Sequence, residues 1–296
     1  MPSAAAIFGL ISRCLSALLG ATLFALITIA SAAAKRITAA NKQRYSIFSL
    51  MLAIVLALWP GPAPAVIRVS PDILAIYQRY SQLDAAGNYA AALVEAQRLE
   101  AATRARYGTG HAAYGFALYK LANSYGRLGR YGEAEEAFKQ ALAVYEKALG
   151  PNDPDLAHAL NDLAVVYWQQ GRYADAEALY DRVRVIEEKT LGPEHPSTAT
   201  TLHELARVYR DTGRYADAED LLAMALRVYA ATLPTRHPWV ARLLVTRGQL
   251  HGLCSRNREA TNDFNEALAI FSAAGVRPEY RWAREAHEGV KNSTII

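Results

Sequence analysis

The sequence predicts an all-α protein, a right-handed α-solenoid of about five helix-turn-helix repeats behind an apolar N-terminal segment. Three observations carry this. Gly87, Gly129, Gly171 and Gly213 stand 42 residues apart, as do Tyr89, Tyr131, Tyr173 and Tyr215, and Ala92, Ala134, Ala176, Ala218 and Ala260. Within each period, apolar residues fall at helical spacings of three and four. No convincing strand pattern interrupts them.

The first element is the N-terminal segment, residues 1–65. Leu15 to Ala34 is a twenty-residue run without a charge, a candidate membrane span. Ser46 to Trp59 is shorter, about fourteen residues. It follows Lys42-Gln43-Arg44 and precedes Pro60-Gly61-Pro62-Ala63-Pro64-Ala65, the layout of a secretory signal cleaved after Ala65. Either residues 41–65 are a signal peptide with translation starting downstream of Met1, or both runs insert as a hairpin. In the hairpin, Lys35, Arg36, Lys42 and Arg44 stay cytoplasmic by the positive-inside rule. Both accounts place the repeats outside the cytoplasm, exported or membrane-anchored. A mitochondrial or chloroplast transit segment fits less well, because these apolar runs are too long for an amphipathic presequence.

Charge separates this segment from the rest. Of the 32 Lys and Arg, five lie in residues 1–65, which hold no acid; the remaining 27 face 28 Asp and Glu. The repeat region is therefore near neutral, which argues against a nucleic-acid partner. Cys14 and Cys254 supply neither a disulfide framework nor a CxxC metal pair.

After a linker at 66–72, the approximate units are 73–114, 115–156, 157–198, 199–240 and 241–282, with a tail at 283–296. The third unit shows the logic. Its first helix, A, is read over Ala157 to Gln170, with Leu160, Leu163, Ala164 and Tyr167 on one face. Gly171 ends that helix in the left-handed conformation. Tyr173 starts helix B, whose apolar face is Ala176, Leu179, Tyr180 and Val183. Gly192-Pro193-Glu194-His195-Pro196 closes the unit. Ala164 and Ala176 let the two helices approach closely. Unit one has Arg79 where the middle units have Leu121, Leu163 and Leu205. Unit five has Arg247, Ser255 and Asn257 at the Leu, Gly and Tyr places. Such degraded ends suit solenoid caps. The tail from Glu279 carries one more helical stretch, read as capping unit five.

Leu160-Asn161-Asp162-Leu163-Ala164-Val165-Val166-Tyr167, Gly171-Arg172-Tyr173-Ala174-Asp175-Ala176-Glu177 and Leu191-Gly192-Pro193-Glu194-His195-Pro196 resemble the tetratricopeptide repeat, in the 42-residue form of the kinesin light chain. The resemblance covers roughly residues 73–282. It implies a non-enzymatic scaffold without cofactor or metal, binding a protein or peptide ligand along a concave wall made by the A helices.

Helix A residues facing away from the core are the candidate contacts. In unit one these are Tyr77 and Gln78. Unit two gives Tyr119, Lys120, Asn123 and Arg127, and unit three gives Asn161, Asp162, Val165 and Trp168. Unit four gives His203, Glu204, Arg207 and Arg210, and unit five Arg242, Thr246 and Gln249. Kinesin-light-chain-like repeats carry a recurrent Asn at the place of Asn161. Here Tyr119, His203 and Val245 replace it, so that mode of cargo recognition is not carried over. The mixed wall, with Trp168 and Tyr119 as anchors, points to an acidic or mixed-charge peptide. The alternatives are an assembly factor of a cell-envelope complex and a regulatory partner of a separate hydrolase.

Other chemistry is weaker. His195 and His237 are too far apart to share one ion and read as capping or packing residues. His158 and His203 have no carboxylate or Cys pattern to complete a site. Glu135-Glu136 and Glu187-Glu188 read as solvated charge on B helices. Asn292-Ser293-Thr294 matches a glycosylation acceptor in a tail.

Overall fold

Each repeat after the first begins at a side chain that caps a helix. His111, Asp153, His195 and His237, 42 apart, accept backbone N–H bonds from Ala113 (3.0 Å), Asp155 (2.8 Å), Ser197 (3.2 Å) and Trp239 (3.2 Å). These bonds satisfy donors that a helix start leaves unpaired. The cap reading of His195 and His237 is therefore correct. Pro154, Pro196 and Pro238 sit in the first helical turn, where no N–H is needed. Helix A of the third unit accordingly runs from Pro154 to Gln169, starting three residues before the expected Ala157.

The computed structural model describes residues 70–234 and 236–294. These hold eleven helices and no strand. The A helices are α1 (Pro71–Ala85), α3 (Ala112–Arg127), α5 (Pro154–Gln169), α7 (Pro196–Asp211) and α9 (Pro238–Leu253). Each pairs with a B helix: α2 (Tyr89–Tyr107), α4 (Tyr131–Ala148), α6 (Tyr173–Thr190), α8 (Tyr215–Thr232) and α10 (Asn257–Ala273). A final helix, α11 (Arg281–Thr294), packs on α10 and α9, as the capping expectation required. The readings of residues 15–34 and 42–65 as span and signal lie outside the described residues. Among the described residues no helix is long and apolar enough to cross a membrane.

The turn within each pair depends on a left-handed residue. Gly171 has φ +74°, and the next amide, Arg172, bonds back to Tyr167 O at 2.9 Å. In unit five the same place is Ser255 at φ +58°, where a side chain makes that conformation costly. The core follows the alanine ladder. Ala134, Ala176, Ala218 and Ala260 are fully buried, and Phe138, Tyr180, Leu222 and Phe264 fill the space beside them.

Neighbouring repeats are clamped on the B side. Arg172 bonds Glu135 of the preceding unit at 2.7 Å and Asp175 at 2.8 Å, while its guanidinium lies 3.9 Å from the Tyr167 ring centroid. Arg214 repeats this with Glu177, Asp217 and Tyr209. Glu135 also accepts the Tyr167 hydroxyl, and half-buried Glu187 accepts Thr201 at 2.7 Å, with burial pushing its carboxyl upward. These two carboxylates thus tie helices together, which corrects the reading of them as solvated charge. Glu136 alone of the four is fully exposed.

The end units replace one core contact by an ion pair. In the middle units Leu121, Leu163 and Leu205 stand opposite Ala137, Leu179 and Leu221 in register. At those places unit one has Arg79 and Glu95, 3.8 Å apart, and unit five has Arg247 bonding Asp263 through Nε at 3.1 Å. His251 Nδ1 also lies 2.9 Å from Asp263.

Candidate peptide-binding groove

The A helices carry three groove-facing registers: 77/119/161/203/245, 81/123/165/207/249 and 84/126/168/210/252. What they present differs between the two ends of the solenoid.

In units one to three the wall opens into a cleft of about 530 Å³. Seven of the residues expected from the sequence line it: Tyr77, Tyr119, Lys120, Asn123, Arg127, Asp162 and Val165. Tyr119 donates its hydroxyl to Asp162 across the repeat boundary at 2.7 Å, and burial holds its phenol well above the ordinary range. The Lys120 ammonium lies 4.9 Å from the ring centroids of Phe116 and Tyr119 and 6.0 Å from that of Tyr77. These rings orient the cation at the wall without neutralising it. Arg127 is exposed beside the Tyr89 ring. Asn161 is half-buried and donates to Asp162 at 3.3 Å, outside the cleft lining. Tyr77 lines the cleft, whereas Gln78 is exposed outside its lining.

Sequence reasoning missed Tyr80, Ser81, Asp84, Phe138 and Gln169, which also line the cleft. Ser81 and Asp84 were recoverable, since they share registers with Asn123 and Trp168. Tyr80 is a core residue showing one edge. Burial pushes its phenol up to about 12.

In units four and five the expected wall residues are not free. His203, Glu204 and Arg207 are buried, and Arg242 and Arg210 are half-buried. The cause is Trp282 of α11, itself 6 % exposed. Its ring centroid lies 5.7 Å from that of His203, 4.9 Å from the Arg242 guanidinium and 5.5 Å from that of Arg207. On its other side Arg207 lies 4.2 Å from Trp168, whose indole N–H is held by Asp211 at 2.8 Å. Arg207 also bonds Glu204, and Arg242 lies 3.6 Å from the same carboxylate. Burial pushes the Glu204 carboxyl up, but the Arg207 and Arg242 guanidinium groups hold it below its ordinary value. His203 pairs its Nε2 with the Thr246 hydroxyl at 2.8 Å. Burial pushes its imidazole down to about 3, so it stays neutral. Arg210 bonds Asp211 and Gln249, and Gln249 donates to Glu285 of α11 at 3.2 Å. Among the described residues no three His, Cys, Asp or Glu side chains form a metal-ligand cluster.

A family model of the tetratricopeptide repeat matches residues 72–147, 116–184, 155–231 and 211–273, most of the chain. The chain belongs to the tetratricopeptide-repeat family. It is similar to a solved Podosopora anserina protein described as kinesin light chain with nearly identical TPR-like repeats. Identity there is 25 % and the TM-score 0.59, over 69 % of this chain and 96 % of that one. A single-residue variant of the same protein gives 24 % identity and a TM-score of 0.60, over 70 % and 97 %. No curated protein sequence matches. Such repeats form protein-protein interaction scaffolds.

Proposed function

We propose that this protein holds an extended, mixed-charge segment of a partner protein in the cleft of units one to three. The observation that carries the reading is the cleft itself: a trough of about 530 Å³ that presents Lys120 and Arg127 together with Asp84 and Asp162. Neither cation is neutralised by an ion pair within the cleft. Tyr77, Tyr80 and Tyr119 supply rigid apolar surface between the charges, the residue type most suited to anchoring a peptide at small entropic cost. A solenoid wall of this kind binds, and the reading assigns the protein no reaction of its own.

The same reading places the repeats outside the cytoplasm, without a nucleic-acid partner. Its support is the acid-free, apolar sequence of residues 1–65 and the near-neutral charge of the remainder. N-terminal sequencing of protein from fractionated native cells tests this. A mature start at Val66 outside the cytoplasm, or an intact chain in the membrane fraction, agrees with export. An intact chain in the soluble cytoplasm overturns it.

The cleft is tested with a library of mixed-charge peptides against the full chain. Val165→Glu and Lys120→Glu should each weaken the selected peptides at least about tenfold, a loss of about 1.4 kcal/mol. Lys139→Glu, on helix B, should leave them unchanged. Equal sensitivity to all three substitutions would refute the cleft as the binding surface.

A further inference from the structure

The C-terminal half of the groove is filled by the chain itself. A capping helix needs to cover the exposed face of the last B helix. α11 does this with Ala283 and Ala286, buried on α10, and with half-buried Val290, packed against the same cluster. Gly289 lies so close to Phe264 that a Cβ there would stand 2.4 Å from the ring. Its largest apolar side chain, Trp282, belongs to the same core cluster as Phe264 and Phe271. It reaches past α9 to the wall of unit four, beside His203 and Arg207.

The seat is also incompletely satisfied. Arg242 Nε is buried with no hydrogen-bond acceptor, behind the indole that covers its guanidinium. A buried donor left unpaired opposes the docked state. The connection into α11, residues 274–280, is the longest between successive helices and contains Gly275 at φ +68° and Pro278. The helix therefore reaches the groove through Trp282 and Glu285, at the end of the longest connection.

We infer that α11 is a releasable occupant of the groove: the wall of units four and five is a binding surface whose resident ligand is this chain's own Trp282-bearing helix. Release bares His203 and Arg207, in registers that line the open cleft, and Arg242 beside them. The groove then extends from three units to five, and a longer partner segment competes with α11 for its far end. The inference rests on the groove being the ligand surface. Its test uses only the chain's own helix, so the two readings fail separately.

A labelled peptide of residues 279–294 is the probe, titrated into the full chain by fluorescence anisotropy. In the wild-type chain the tethered helix competes at roughly millimolar effective concentration, so micromolar peptide stays unbound. Trp282→Ala empties the indole seat, and Gly289→Val lifts α11 off Phe264 without touching the groove. Both variants should bind the peptide at least about tenfold more tightly than wild type, and the peptide carrying Trp282→Ala should bind neither. In the wild-type chain, amide exchange of α11 should be faster than that of α7 and α9, reporting opening of the helix alone. The inference is overturned if neither variant gains peptide binding, or if α11 exchanges only together with α7 and α9. Loss of the helical circular dichroism of units four and five in both variants would likewise overturn it, by making α11 a structural cap.

Discussion

The two halves of the groove use the same backbone registers and end in opposite states. In units one to three, position 119 is a tyrosine bonded to Asp162, position 123 an asparagine and position 165 a valine, and the wall opens into a cleft. In unit four the corresponding residues, His203 and Arg207, are buried beneath Trp282. What separates them is how their charges are compensated. Lys120 and Arg127 face a solvated trough, whereas Arg207 lies between two indoles and beside a buried carboxylate. The first arrangement leaves charge for a partner to meet. The second consumes it inside the molecule.

The largest expected break is at Arg207. Arg207→Ala removes the cation stacked between Trp168 and Trp282 and strips Glu204 of its closest partner. Breaking a buried pair from one side should cost about 4 kcal/mol in a urea unfolding titration. Lys120→Ala in the open half should cost little, and comparable losses would erase the distinction between the halves.

Next is the ion pair that replaces the Leu contact in unit five. Arg247→Leu leaves Asp263 buried beside His251 and should destabilise by about 3 kcal/mol. Arg247→Leu with Asp263→Leu together restores the middle-unit pattern and should recover most of that loss. A double-mutant cycle reads the coupling, and simple additivity would show that the pair is not a unit.

The sealed half should also respond to acid where the open half does not. His203 has an ordinary value of 6.5 that burial lowers to about 3 in the folded chain. Between those values the unfolded chain binds a proton that the folded chain refuses. Stability from this group is thus fully present above pH 6.5 and is lost progressively as pH falls toward 3. From pH 7 to pH 5 the loss should be about 2 kcal/mol. Thermal melts of wild type and His203→Gln over that interval check it, since the variant should show a correspondingly shallower dependence.

The smallest effect sharpens the contrast between middle and end units. Ser255 holds the left-handed conformation that Gly171 and Gly213 hold elsewhere. Ser255→Gly should stabilise unit five by about 1 kcal/mol, read as a higher denaturant midpoint.

Much of the fold was legible because a repeat protein is held by near-neighbour contacts. The glycines mark the turns, the alanines mark the close approaches, and the tyrosines start the B helices. Helix A of unit three was placed three residues late, at Ala157 instead of Pro154. The side chain that decides the start is the capping His or Asp just before it, as at Asp153. The cleft was half legible. Register arithmetic identifies Tyr119, Asn123 and Val165, and would have added Ser81 and Asp84. Glu135 and Glu187 looked like surface charge because their partners, Arg172 and Thr201, come from other helices.

By itself the sequence determined the period, the helix pairs and the wall-facing registers, since each is encoded within one repeat or between adjacent ones. Only the tertiary structure decided which part of the wall is open. Trp282 meets His203 because the packing of α11 on α10 and α9 aims one side chain across a whole repeat. No local pattern records that distance. It is a sum of small rotations between stacked units, and it becomes visible only when all of them are in place.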